Sequence, residues 1–193
     1  MQFQLEKYLG LWYELAHYSS WFERQDSYNT TAEYSLNTDG TIQVHNSTML
    51  EGSIVESFGK AVIMENTNFT DGSASLASLS VSFSNTEVRK LENEINIGQR
   101  TCLSGSGAHC YDSKPNYLVN YILMNNQGDY IYAIVSDPDR RSLYVLSRFP
   151  QPDLISYNIA MEYVRSDYDI TKILHVPHYA YYLIDERAIT LGL

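Results

Sequence analysis

Residues Thr30 to Asn46 read TTAEYSLNTDGTIQVHN, with apolar side chains at every second position on both sides of Asp39-Gly40. Such alternation is typical of half-buried β-strands. An Asp-Gly pair supplies the positive φ angles of a tight hairpin turn. The stretch therefore predicts two antiparallel strands. One face of this hairpin contains Ala32, Tyr34, Leu36, Ile42, Val44 and Asn46.

The same alternation extends outward from this hairpin, from Tyr8 to Phe149. A strand is predicted from Lys60 to Glu65, and LASLSVSFS alternates Leu79, Val81 and Phe83 with serines. Three further strands, NYLVNYILMNN, YIYAIVS and SLYVLSRF, follow with turn residues between them. We count eight strands in all. Eight antiparallel strands joined by turns predict a closed up-and-down β-barrel with room for one small ligand.

After the last strand, Asp153 is in position to cap a helix over residues 154–166. A stripe at helical spacing is expected to pack against the outside of the barrel, and it consists of Ile155, Ile159 and Tyr163. Beyond the helix, residues 173–184 read ILHVPHYAYYLI. This segment predicts a tail strand, which Pro177 limits to an edge.

Composition fits one soluble globular domain spanning residues 1–193, with 44% hydrophobic and 19% charged residues. The formal net charge of −10 disfavours nucleic acid as a partner. The start of the chain has neither the basic nor the apolar region of a signal peptide. We therefore expect either a secreted protein whose signal has been replaced or a cytoplasmic one. Membrane association is not indicated, and the oligomeric state is open.

Two further segments carry a family resemblance. Residues 8–24, YLGLWYELAHYSSWFER, contain a Gly-x-Trp at Gly10 to Trp12, and residues 135–150, VSDPDRRSLYVLSRFP, end a strand in Ser-Arg. With the hairpin between them, these segments resemble lipocalins of the apolipoprotein D and bacterial lipocalin group. The resemblance covers about residues 3 to 185, except the stretch near 86–115.

The resemblance implies a structural role for Gly10, Trp12 and Arg148 at the closed end of the barrel. Trp12 is expected to plug the narrow end, with the guanidinium of Arg148 on its indole face, a contact worth about 0.5–2 kcal/mol. We interpret Glu14 as a solvated strand residue.

In this topology four loops surround the open mouth, at about residues 18–28, 50–56, 86–115 and 136–141. The longest of them is an insert at the mouth, either a lid or an unstructured loop. Its Cys102 and Cys110 form a local disulfide or remain two free thiols. Phe22, with Trp21, could close over a ligand or simply cover the rim. The expected ligand-binding residues are Phe22, Ala32, Tyr34, Leu36, Val44, Asn46, Leu79, Val81, Phe83 and Tyr144.

These side chains are mostly apolar with a few polar groups, which is typical of a small-molecule site. The sequence predicts binding, transport or sequestration of a lipid such as a fatty acid or lysophospholipid, with its tail innermost. We expect no cofactor, no metal and no catalytic residue, since the five histidines lack ligand spacing and no nucleophile elbow is present. Two alternatives remain: a lipid-modifying enzyme of the same fold, and a protein-interaction module with a filled cavity.

Overall fold

The structure of the chain, a computed structural model, describes residues 2–18, 26–64, 75–83 and 115–179. These ranges contain nine strands, which are β1 (Gly10–Tyr18), β2 (Tyr28–Leu36), β3 (Ile42–Leu50), β4 (Ser53–Met64), β5 (Ala77–Phe83), β6 (Tyr117–Met124), β7 (Tyr130–Ser136), β8 (Leu143–Ser147) and β9 (Ile173–His175). Helix α1 (Leu5–Tyr8) precedes β1, and helix α2 (Leu154–Asp167) follows β8. A single 3-10 turn, Ile170–Lys172, leads into β9.

The first eight strands form a closed antiparallel barrel. Each strand from β2 to β8 pairs with its sequence neighbours, and β1 pairs with β8 along one edge and with β2 along the other. Tyr13 lies opposite Ser147 of β8 and opposite Thr31 of β2. Pairing of β1 with both β8 and β2 closes the sheet on itself, which protects the edges that an open sheet would expose. The predicted architecture is confirmed, with β9 as one additional strand.

The hairpin of β2 and β3 has the predicted shared face, because Tyr34 pairs with Val44. Its turn differs from the prediction, since only Gly40 has a positive φ, of 80°. Asp39 instead accepts hydrogen bonds through Oδ1 from the backbone N–H of Thr41 at 3.0 Å and from its hydroxyl at 2.6 Å. The aspartate therefore stabilises the turn with its side chain.

Strand β4 begins seven residues before the predicted Lys60, because it pairs with β3 as far as Leu50 and Ser53. The expected loop at 50–56 is a turn of two residues, Glu51 and Gly52, with φ angles of 49° and 75°. Hairpins prefer such turns since their twist matches that of the strands. The segment SIVESF lacks clear alternation, so the sequence did not reveal this extension.

Helix α2 has the predicted cap, since Asp153 Oδ1 accepts from the backbone N–H of Ser156 at 2.8 Å. The predicted buried stripe is wrong at Ile155, which is 76% exposed, and at Ile159, which is 42% exposed, whereas Tyr163 packs on Tyr121 of β6 with ring centroids 4.7 Å apart. The helix instead buries a neighbouring face made of Ala160, Met161 and Val164. Two overlapping apolar stripes occur in this helix, and the rotation that selects one depends on the barrel. Neither helix in the described ranges is long and apolar enough to cross a membrane.

Residues 173–179, here called the tail segment, complete the barrel wall near the mouth. Strand β9 pairs with residues 16–18 of β1, on the edge that β2 occupies lower down. The N–H of Val176 donates to the Leu15 carbonyl at 2.9 Å, and the N–H of Asn29 in β2 donates to the Pro177 carbonyl at 2.9 Å. The tail segment therefore bridges β1 and β2 where these strands separate. Residues 180–184 of the predicted tail strand lie outside the described residues.

Two hydrophobic clusters result from this arrangement. One fills the closed half of the barrel and includes Trp12, Tyr34 and Leu79. The other lies between the outer wall of the barrel and α2, and it includes Tyr132, Ile134 and Val164. The helix thus covers the outside of β6 and β7. The candidate site described below lies in the mouth half of the interior.

Candidate functional site in the barrel interior

The closed end is built around Trp12, whose side chain is fully buried. Its indole N–H donates to the Tyr8 carbonyl at 2.7 Å, and the guanidinium carbon of Arg148 lies 3.8 Å from its ring centroid. Arg148 also donates to the carbonyl oxygens of Leu11 at 2.6 Å and Leu9 at 2.8 Å. The contact implied by the resemblance is present. Arg148 therefore ties the entry of β1 to the end of β8.

Gly10 is required at this end for its backbone conformation. Its φ of +92° is a conformation that residues with a Cβ rarely adopt. A Cβ at this position would also lie 3.5 Å from Nη1 of Arg148, which is ordinary contact. The backbone conformation, more than the space, explains the glycine of the Gly-x-Trp motif.

Above Trp12, three tyrosine hydroxyls meet in the interior and form a layer that we call the tyrosine floor: Tyr8, Tyr34 and Tyr117. The Tyr117 oxygen lies 2.6 Å from that of Tyr8 and 2.9 Å from that of Tyr34. Burial raises the pKa of Tyr34 to about 12 and raises the pKa values of Tyr8 and Tyr117 well above their usual range. All three hydroxyls therefore stay protonated at neutral pH.

The interior changes character between the floor and the mouth. Val44 and its partner Gly59 are buried, but the next inward-facing pair on the same strands, Asn46 and Ser57, is partly exposed. Val55, one pair closer to the mouth, is also partly exposed. Inward-facing side chains remain accessible only where no other described side chain fills the space beside them. Among the described residues, the mouth half of the barrel interior is therefore less tightly filled than the closed half, and we call this region the lumen.

The structure distributes the predicted binding residues over three levels. Those buried at or below the floor are Tyr34, Val44 and Leu79. Those that are partly exposed in the wall are Ala32, Asn46, Val81 and Tyr144. Phe83 lies at the mouth end of β5, 45% exposed, with its ring against Gly59.

Leu36 does not fit the prediction. It is 56% exposed, because β2 runs from the mouth towards the closed end and Leu36 is its last residue, below the tyrosine floor. The alternation was right and the depth was wrong. Phe22, Cys102, Cys110 and most of the insert at 86–115 lie outside the described residues, so their predicted roles stay predictions.

Glu14 and His17 form a polar pair that the sequence analysis did not recognise. Glu14 is 8% exposed and His17 3% exposed, so the interpretation of Glu14 as a solvated residue is wrong. His17 Nδ1 lies 2.6 Å from Glu14 Oε1. Glu14 has the same parity along β1 as Trp12, and this signal was sufficient to place it inside the barrel.

His17 faces inward for a different reason. A β-bulge between Glu14 and Ala16 shifts the register, so that Glu14 lies opposite Leu146 while His17 lies opposite Tyr144. Both partners belong to the interior cluster. One extra residue in a bulge moves all later side chains to the other face. Alternation alone would have placed His17 outside.

Within the described residues, no group of three or more His, Cys, Asp or Glu side chains is arranged to hold a metal ion. The interior offers hydroxyl groups, amides and one carboxylate–imidazole pair among aromatic and aliphatic side chains. This composition can hold an apolar molecule and orient it through a few hydrogen bonds.

Comparison with known proteins agrees with this geometry. The model of a lipocalin-like domain matches residues 3–100 and 109–178. Temperature-induced lipocalin-1 of Arabidopsis thaliana is 30% identical over 90% of this chain and 78% of its own length. The outer membrane lipoprotein Blc of Escherichia coli strain K12 is 28% identical over 90% of this chain and 78% of its own.

A solved structure shows the same fold. Insecticyanin from the tobacco hornworm Manduca sexta superposes with a TM-score of 0.54 at 18% identity, covering 93% of this chain and 82% of that one.

Proposed function

The chain belongs to the lipocalin family, and we propose that it binds a lipid such as a fatty acid or lysophospholipid in the mouth half of its barrel, for transport or sequestration. Lipocalins are generally binding proteins for small hydrophobic ligands. The lumen above the tyrosine floor carries the proposal, because inward-facing side chains such as Asn46, Ser57 and Val55 are partly exposed there.

The energetics favour a chain-like lipid. Each buried methylene contributes about 0.8 kcal/mol, whereas association costs on the order of 4–15 kcal/mol. A chain of about 15 methylenes therefore gives a modest net affinity without any special contact. Polar groups in the wall then select among chains of similar length.

A chain-length series tests the proposal. Saturated fatty acids of increasing length are titrated into the protein while tryptophan and tyrosine fluorescence is recorded. Affinity should rise with each added methylene, by about 0.8 kcal/mol at most, until the lumen is full. Affinity that does not depend on chain length would contradict the proposal.

The matched variants are Val81→Arg and Ser35→Arg. Val81 lies in the interior wall, so a buried, unpaired cation there should abolish binding. Ser35 is exposed on the outer face, opposite Gln43, and the same change there should leave binding intact. Circular dichroism checks that both variants fold, and a folded Val81→Arg variant that still binds would overturn the proposal.

A further inference from the structure

Among the described residues, the carboxylate in the interior wall is that of Glu14. Its Oε1 is engaged by His17 at 2.6 Å. The alternation of side chains along β1 places Glu14 on the inner face, where it lies opposite Leu146, and the bulge in β1 brings His17 to the same face. Buried carboxylates are rare unless they are paired. The carboxylate of Glu14 has a described hydrogen-bond partner on Oε1 but not on its second oxygen.

The second oxygen of Glu14 is available to a ligand. Among the described residues, the hydrogen bonds of its carboxylate use Oε1 only, and the side chain retains 11% of its exposure, against 3% for His17. Because Glu14 faces the interior, that remaining exposure is towards the lumen. A carboxylate oxygen accepts hydrogen bonds and repels other anions. The wall therefore presents an acceptor at this depth.

The tyrosine floor presents the complementary group. Its three hydroxyls hydrogen-bond among themselves, Tyr117 with both Tyr8 and Tyr34, and Tyr8 and Tyr34 also interact with each other. A hydroxyl of this group can donate to a ligand by exchanging one of these partners. The Glu14 charge acts on Tyr34: burial is the main cause of the raised pKa of that hydroxyl, and Glu14 adds to it. The Glu14 carboxylate is therefore close enough to the floor to act on Tyr34 electrostatically.

We propose that Glu14, together with the tyrosine floor, selects lipids that carry a hydroxyl group at their buried end. This inference rests on the proposed function. A ligand hydroxyl donates to Glu14 and accepts from the floor, so it satisfies both. A fatty-acid carboxylate at the same place is repelled by the Glu14 carboxylate. A hydrocarbon end at this place removes water from the Glu14 carboxylate without donating a hydrogen bond to it. The polar end then points inward, opposite to the tail-first orientation that the sequence suggested.

Three ligands with the same chain test the inference: tetradecanol, methyl tetradecanoate and tetradecanoate. The alcohol offers a donor, the ester is neutral without a donor, and the acid is charged. Isothermal titration calorimetry at neutral pH should show the alcohol binding about tenfold more tightly than the ester, since hydrogen bonds to charged groups are the strong ones. The acid should bind more weakly than the ester.

The variant Glu14→Gln removes the charge and keeps a carbonyl acceptor. It should bind tetradecanoate more tightly than the unaltered protein does, and reduce the preference for the alcohol over the acid. The control is Glu33→Gln, which makes the same change at an exposed position of β2. The control should keep the original order of the three ligands.

The possible failures are distinct. If none of the three ligands binds, the proposed function is wrong as well. If all three bind and the alcohol is no better than the ester, only the role of Glu14 is wrong. The comparison of alcohol and ester needs no variant, so it decides the matter even if Glu14→Gln does not fold. An unchanged order of affinities in a folded Glu14→Gln protein also overturns the inference.

Discussion

At the scale of single residues, Trp12 combines three interactions that ordinary core residues do not combine. Its ring is fully buried, its N–H is satisfied by the Tyr8 carbonyl, and its face is covered by Arg148. Each of these contacts reaches a different segment of the chain. Loss of the side chain therefore loosens the N-terminal segment, β1 and β8 together.

We expect Trp12→Ala to lower the free energy of unfolding by about 3–5 kcal/mol, as large truncations in a core do. Urea denaturation followed by circular dichroism measures the loss. Trp12→Phe keeps a ring but removes the N–H, and it should cost less. Full stability of the alanine variant would show that Trp12 does not hold the closed end.

Glu14 shows what sequence analysis misses at this scale. Its position two residues after Trp12 indicates the inner face of β1, but a charged residue on a strand is most often solvated. The interpretation of Glu14 as a solvated residue follows from the second of these two expectations. The structure resolves the conflict through His17, which supplies a partner within the barrel. A partner contributed by the other side of a bulge cannot be read from alternation.

At the scale of elements, the strands were predictable because each strand has one face towards the barrel interior and one towards the outside. Apolar and polar side chains therefore alternate along it. The face that Tyr34 shares with Val44 follows from the hairpin sequence, whereas their direct pairing depends on the turn that the structure adopts. The rotation of α2 was not predictable. Apolar residues lie on two of its faces, and only the wall formed by β6 and β7 decides which face is buried.

A pair of variants tests the orientation of α2. Met161→Ala should lower the free energy of unfolding by about 2–5 kcal/mol, because the side chain is 6% exposed in the outer cluster. Ile155→Ala should change it by no more than about 0.5 kcal/mol, because that side chain is 76% exposed. Thermal denaturation of both variants provides the comparison. Equal losses would mean that the helix buries the predicted stripe after all.

At the scale of the whole molecule, the tyrosine floor links stability to pH. Folding raises the pKa of Tyr34 to about 12, through burial above all, whereas in an unfolded chain tyrosine titrates near pH 10. The folded state therefore holds its protons while the unfolded state loses them. Stability is complete below about pH 10 and falls as the pH rises towards 12.

Urea midpoints measured between neutral pH and about pH 12 should show this fall, and tyrosinate absorbance should rise together with unfolding. In Tyr34→Phe the protein is less stable at neutral pH, but its midpoint should depend less on pH in the alkaline range. A midpoint in the unaltered protein that stays constant through that range would contradict the burial of the floor.

The tail segment has a consequence for the order in which the barrel is assembled. Its residues 173–179 are made by the ribosome long after β1, yet they hydrogen-bond to Leu15 and Asn29 near the beginning of the chain. Contacts between residues so distant in sequence slow folding. The upper edge of β1 therefore stays unpaired until residues 173–176, which pair with it, have been synthesised.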